Sequence, residues 1–375
     1  MSPKNNNWFS LFSSNYVGVL NDNFLKHCIV FIGVTWAMPN YLSQSGLIAL
    51  VSAALIVPYL FLSPLGGRLA VRYSKQKIFR LCKLAEFPIM LLATVGFYFQ
   101  SVTLCLIAVL LMGVQSCLYS PAKYGLIRDI GGEQGLSFGN GVFETMAFLG
   151  ILSGTVFASL ISDHYTLRWV TALFFGFALL GYLATVRIRV IEVEIVEKAH
   201  TSLNPIKFLK ESYLFAKQYP LVNMGVLGVS IFWLIGGVIQ MNLVIHCTQT
   251  LHTNNTTAGI VIFNPPVLIC AVLIFLTAFM GGLFEVPCLA LVQQADTGRK
   301  LGNLLAYMNL VIFIFVLLGA GIFAITTQLF YDNSLVVFGV IVGICLTTLI
   351  YFSAKFCDIR VSVLKKYSAQ RHKEH

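Results

Sequence analysis

The chain has 375 residues, of which 57% are hydrophobic and 11% charged, with a formal net charge of +10. Soluble domains carry about 25% charged residues, so the composition excludes a soluble globular protein and indicates a polytopic membrane protein. The basic residues gather between apolar runs, which reads as positive-inside topology and attraction to lipid headgroups; no nucleic-acid partner is needed to explain them.

Apolar runs of roughly 20 residues are long enough to cross about 30 Å of hydrocarbon as helices, and the short alternation of a membrane barrel is absent. Segmentation predicts ten transmembrane helices, near 15–38, 45–66, 80–99, 102–120, 138–161, 167–186, 221–246, 267–292, 302–327 and 334–354. The expected fold class is an all-α integral membrane protein with both termini cytoplasmic. The first segment has no cleavable signal peptide and is expected to act as an uncleaved signal anchor.

That first helix carries a polar island, Leu20-Asn21-Asp22-Asn23-Phe24-Leu25-Lys26, inside an otherwise apolar run. An ionised group near the bilayer centre costs about 2.5–3.5 kcal/mol on insertion scales, so such groups face a protein interior or a water-filled cavity. Asp22 and Lys26 are four apart, which stacks them on one helix face as an ion pair. Two readings stand. The island lines a polar path, with Asn21 and Asn23 as further hydrogen-bonding groups, or the pair neutralises itself near a helix end while Lys26 snorkels to the interface.

The second helix ends in Gly66-Gly67-Arg68, followed by Arg72, Lys75 and Lys77, a tight basic turn on the cytoplasmic side. In the third helix Lys83 and Glu86 are three apart and read as a solvated interfacial pair. The fourth helix closes with Gly113-Val114-Gln115-Ser116-Cys117-Leu118-Tyr119-Ser120-Pro121-Ala122-Lys123-Tyr124-Gly125, a small and polar face suited to close packing. Pro121 is expected to end or kink it. On the fifth helix, Asn140 and Glu144 are four apart and one turn inside the membrane. Glu144 is either a pathway residue or a partner in a helix-to-helix hydrogen bond.

Residues 187–220 are mostly polar and read as a cytoplasmic linker, with a surface helix after Asn204-Pro205. It separates an N-terminal six-helix bundle, 1–186, from a shortened four-helix bundle, 221–354, and a basic cytoplasmic tail, 355–375. An internal repeat links the halves: Pro121 followed by Gly139-Asn140 is echoed by Pro287 followed by Gly302-Asn303. By that alignment Glu285 is the intramembrane carboxylate of the second half.

Of the nine cysteines, Cys28, Cys82, Cys105, Cys117, Cys270, Cys288 and Cys345 lie in apolar helices without metal-ligand spacing and are expected to be small core residues. His27, His246 and His252 are isolated. With no phosphate-binding glycine loop and no nucleophile elbow, neither an enzyme nor a cofactor is expected.

The loop after Gly66-Gly67 resembles the signature between the second and third helices of the major facilitator superfamily, with Val71 at its Asp position. The island from Leu20 to Lys26, Tyr119 to Gly125, Gly139-Asn140 with Glu144, and Gly281 to Phe284 with Pro287 resemble the lysophospholipid transporter family of that superfamily. The resemblance implies a two-bundle transporter in a bacterial inner membrane. It would move lysophosphatidylethanolamine from the outer to the inner leaflet, surrounded by membrane lipids, for re-acylation by an acyltransferase/acyl-carrier-protein synthetase. The polar and charged residues at membrane depth, with the internal repeat, give the expected substrate path, Asn21, Asp22, Asn23, Lys26, Asn140, Glu144 and Glu285, with Gly67, Arg68, Arg72, Pro121, Lys123 and Pro287 in gating or packing.

The family has twelve helices, and the second half here is shorter than the first: about 99 residues separate the island from Pro121, but only about 54 separate Trp233 from Pro287. Roughly two helices are absent, and the interval Cys247 to Pro266, polar for half its length, offers only Ala258 to Phe263 as an apolar run, too short to span. A facilitator carrier of another solute and a non-transporting membrane partner descended from a transporter are the alternative readings.

Overall fold

The computed structural model describes residues 3–36, 44–163, 166–192, 202–219, 221–245, 265–331 and 333–371. They form α1 (Pro3–Ile32), a short 3-10 turn (Gly33–Thr35), α2 (Gln44–Arg72), α3 (Lys75–Tyr98), α4 (Val102–Gly131), α5 (Leu136–Asp163) and α6 (Leu167–Val186). After the linker come α7 (Pro205–Ala216), α8 (Val222–Ile245), α9 (Pro265–Gln293), a second 3-10 turn (Gly298–Lys300), α10 (Leu301–Leu329) and α11 (Ser334–Arg371).

Eight helices are long and apolar enough to cross a membrane among the described residues: α2, α4, α5, α6, α8, α9, α10 and α11. Predicted crossings α1 and α3 reach similar length but hold charged residues within it, including Asp22, Lys26, Lys83 and Glu86. The protein is multi-pass and all-helical among its described residues. Of the polar interval 247–266, residues 247–264 lie outside the described residues; Pro265 and Pro266 open α9.

The surface helix appears where Asn204-Pro205 predicts it. The Asn204 side chain accepts from the backbone N–H groups of Ile206 and Lys207 at 3.0 and 3.1 Å, and Pro205 follows at the first helical position, where no amide hydrogen is needed. α7 buries Phe208, Ser212 and Ala216 and exposes Ile206 and Leu214.

Pro121 does not end α4, which continues ten residues further to Gly131 and stops where Gly132 adopts φ 62°. A proline inside a helix leaves the carbonyl four residues earlier without its usual donor. Here that carbonyl belongs to Cys117, and α2 approaches it with a glycine: a Cβ on Gly66 would lie 2.9 Å from the Cys117 oxygen. The arrangement is reciprocated. Pro58 frees the Ala54 carbonyl of α2, and a Cβ on Gly113 of α4 would lie 2.8 Å from that oxygen. Proline on one helix and glycine on the other thus bring two backbones together without a side-chain layer.

A second small-residue crossing joins α1 to α5. Gly150 and Gly154, spaced as a GxxxG pair, pack on the Tyr16 and Leu20 carbonyls, with Cβ distances of 2.8 and 2.5 Å. At the far end of α2, Gly67 meets Ala306 and Asn303 of α10, while Gly302 meets Ala70.

The chain divides into two compact units. The first comprises Met1–Ser230 with Phe279–Ile314. Its core has two clusters, one around Phe24, Met90, Phe97, Met112 and Phe174, the other around Leu11, Phe79, Tyr119, Leu126 and Phe143. α1 extends well before its predicted start because Trp8 is buried, stacked on Phe12 at 5.1 Å with Phe138 edge-on. The second unit, Ile231–Ala278 with Phe315–His375, packs Leu234 and Val238 against Val337 and Ile341.

Candidate functional site

The first unit holds a line of buried polar groups between α1, α3, α4 and α5. Lys83 and Glu86, expected at a solvated interface, form an ion pair whose side chains are each 1% exposed. Their three-residue spacing was sound; the surroundings differ because α1, α4 and α6 close over α3. Gly18 leaves the room occupied by the Lys83 ammonium, and Gly181 lies beside its aliphatic stem. A buried pair of this kind needs its remaining hydrogen-bond capacity met. Gln115 donates to Glu86 Oε1 at 3.2 Å and to the Cys82 carbonyl at 3.1 Å.

From Gln115 the line reaches the polar island. The Ser116 hydroxyl sits 3.1 Å from Gln115 Oε1 and 3.2 Å from Asp22 Oδ2, and Asp22 lies within electrostatic reach of Glu86, Lys83 and Lys123. The predicted Asp22–Lys26 ion pair does not form. Asp22 turns toward α4, and Lys26, half-buried, makes no ion pair among the described residues. Asn21 is fully buried beside Glu86, within hydrogen-bonding reach of its carboxylate; among the described residues Asp22 Oδ1 has no hydrogen-bond partner. Asn23 is spent locally, donating to the Val19 carbonyl at 2.9 Å.

Two turns further along α4 from Ser116, the Lys123 ammonium lies 5.3 Å from the centroids of each of three rings, Tyr119, Tyr124 and Phe143. Such cation–π contacts contribute about 0.5–2 kcal/mol each, more as water is excluded. The Tyr124 hydroxyl donates to Glu144 Oε1 at 2.9 Å, so Glu144 makes a helix-to-helix hydrogen bond and adjoins the ring cluster. Glu285 on α9 is 1% exposed and within electrostatic reach of Tyr124.

Asn140 sits where the basic-loop ends of α5 and α9 meet. Its amide pairs reciprocally with Gln293, Nδ2 to Oε1 at 2.8 Å and Nε2 to Oδ1 at 3.1 Å, and Gln293 also donates to the Tyr124 carbonyl at 3.3 Å. Nearby, Asn309 donates to Ser120 at 2.9 Å and Arg128 to the Ala295 carbonyl at 2.5 Å. Of the remaining predicted residues, Gly67 and Pro121 are buried at helix crossings, Arg68 and Arg72 are half-buried at the end of α2, and Pro287 is exposed on α9.

The polar line therefore unites Asn21, Asp22 and Glu144 with residues to which sequence reasoning gave no place on the path: Gln115, Ser116, Tyr119, Tyr124 and Gln293. Most of these could have been found. On α4 the polar side chains recur as 115/116, 119/120 and 123/124, a four-residue spacing that draws one stripe along a helix. Gln293 carries no comparable signal.

Comparison with known proteins agrees with this architecture. The Major Facilitator Superfamily profile matches residues 23–367. The lysophospholipid transporter LplT of Photorhabdus laumondii is 25% identical over 332 residues, covering 73% of this chain and 78% of that protein. LplT of Yersinia enterocolitica is 23% identical over 327 residues, covering 75% and 78%. Among solved structures, the human organic anion transporter MFSD10 superposes with a TM-score of 0.70 at 13% identity, over 93% of this chain and 99% of that one. The Escherichia coli fucose:proton symporter FucP gives a TM-score of 0.58 at 12% identity, over 92% and 98%. These solved structures share the fold alone. The protein is a multi-pass membrane transporter rather than an enzyme, and it belongs to the Major Facilitator Superfamily.

Proposed function

We propose that this transporter moves lysophospholipids of the lysophosphatidylethanolamine type across a bacterial inner membrane, with both termini cytoplasmic, for re-acylation by an acyltransferase partner. The observation that carries the reading is the charge content of the buried line beyond the self-paired Lys83 and Glu86: Asp22 and Glu144 with Lys123, set in an apolar bundle. A zwitterionic headgroup meets both signs there while its acyl chain stays against apolar walls or lipid. Similarity to proteins named as lysophospholipid transporters over about three quarters of the chain adds support.

In this reading Asp22 and Glu144 meet the ammonium or the water around it, and Lys26, which has no ion-pair partner of its own among the described residues, meets the phosphate. Asn21, Asn140 and Glu285 line the same path, and the six-helix and four-helix segments act as the two halves of the carrier.

The test is translocation of labelled lysophosphatidylethanolamine in proteoliposomes containing only this chain, with empty vesicles as control. Flipping above that background supports the reading. Its absence from well-folded protein, with uptake of a soluble solute instead, would replace it by a carrier of another substrate.

A further inference from the structure

The three rings around Lys123 form a built enclosure rather than a chance contact. Tyr119 is 2% and Phe143 1% exposed, so neither ring can leave without opening the core. Tyr119 stacks on Phe79 at 5.4 Å, and Tyr124 lies 5.3 Å from Phe143. What the enclosure holds is an ammonium, and it is held by ring faces. No carboxylate lies within ion-pair distance of Lys123 among the described residues, although Glu144 and Asp22 are within electrostatic reach. Glu144 spends one oxygen on the Tyr124 hydroxyl at the rim. Lys123 and Tyr124 are half-buried, the least enclosed members of the group.

Three ring faces with an adjoining carboxylate are what an alkylammonium ligand requires, since the ring quadrupoles and the carboxylate attract the same charge. A lysine held there without a salt bridge occupies such a place while remaining displaceable. We infer that Tyr119, Tyr124 and Phe143, with Glu144 at the rim, are a receptor for the alkylammonium group of the substrate headgroup, and that Lys123 is its tethered resident, displaced when that group enters. Once displaced, the Lys123 ammonium is free to join Lys26 at the phosphate, a few bonds away on the same headgroup. The inference rests on the lysophospholipid reading and adds to it a determinant of headgroup preference: amine-bearing headgroups over glycerol headgroups.

The resident and the ligand compete, which gives substitutions of opposite sign. The probe is choline, which has the ammonium and no phosphate, and binding to the purified full chain in detergent is followed by saturation-transfer NMR. Lys123→Ala is expected to tighten choline binding about tenfold by removing the competitor, and Phe143→Leu to weaken it about tenfold, while Phe143→Tyr keeps the third ring and restores it. Choline binding that is absent, or that is unchanged in Lys123→Ala and Phe143→Leu alike, would overturn the receptor. Thermal unfolding of each variant separates loss of binding from loss of fold.

Transport is read separately, as the ratio of lysophosphatidylethanolamine to lysophosphatidylglycerol flipping, which Phe143→Leu is expected to lower about tenfold. The opposite-sign choline pattern without lipid flipping would leave the receptor standing and remove the lysophospholipid reading. Flipping of both lipids with no choline response would do the reverse.

Discussion

Lys83 and Glu86 lie one turn apart on α3 and pair with both side chains 1% exposed, sealed by α1, α4 and α6. Removing one partner of a buried pair leaves the other charge uncompensated, at a cost of about 3–5 kcal/mol. Lys83→Met and Glu86→Gln are each expected to lower the unfolding midpoint of the purified protein in detergent. The double variant is expected to be more stable than either single one. Additive losses would show that the pair is not coupled.

Asp22 and Glu144 are the carboxylates that the proposed path depends on. Asp22→Ala and Glu144→Ala are each expected to lower the initial rate of lysophosphatidylethanolamine translocation about tenfold, equivalent to about 1.4 kcal/mol, with unchanged membrane insertion. Lys26→Ala is expected to do the same. Normal rates in all three would remove the site assignment.

The α2–α4 crossing relies on Gly66 and Gly113 facing carbonyls freed by proline. A valine at either position adds methyl groups where a Cβ alone would already stand 2.8–2.9 Å from a backbone oxygen. Gly66→Val and Gly113→Val are expected to destabilise the protein by about 1–3 kcal/mol, the usual range for overpacking. Wild-type thermal stability in both would show that the helices can separate without penalty.

The amide pair of Asn140 and Gln293 joins α5 to α9 through two hydrogen bonds. A double-mutant cycle on Asn140→Ala and Gln293→Ala, read by unfolding in detergent, is expected to give a coupling of about 0.6 kcal/mol and no more than about 1.7 kcal/mol, the span measured for interhelical hydrogen bonds in membranes. Zero coupling would mean the pair forms no net interaction.

Much of this architecture was legible in the chain itself. Segment hydrophobicity is an additive property of local residues, so the long apolar helices and the α7 start at Asn204-Pro205 emerge from composition and capping alone. The island at Asp22 and the depth of Glu144 were legible for the same reason: a charge inside an apolar run demands a protein partner. The identity of that partner is a tertiary property. Nothing along α3 says that Gly18 of α1 and Gly181 of α6 open a channel for Lys83, so the pair read as solvated. The i,i+4 spacing of Asp22 and Lys26 made an ion pair geometrically available, but Ser116 offers Asp22 a hydrogen bond from α4. Pro121 looked like a terminator because its effect on its own helix is local, whereas the glycine that meets the freed carbonyl lies 55 residues earlier in the chain, at Gly66.

The crossing of α2 and α10 at Gly67, Ala70, Gly302 and Ala306 has a mechanical consequence. Helices separated by rotamer-rich side chains can slide past one another, since the intervening layer deforms a little at each step. Here glycine and alanine leave little but the Asn303 side chain beside Gly67, so that compliant layer is thin and the spacing is set mainly by the main chains. Two rods touching in this way rock about their point of contact far more readily than they translate. The end of α2 and the start of α10 are therefore expected to pivot at Gly67 more readily than to slide there, whatever the cargo.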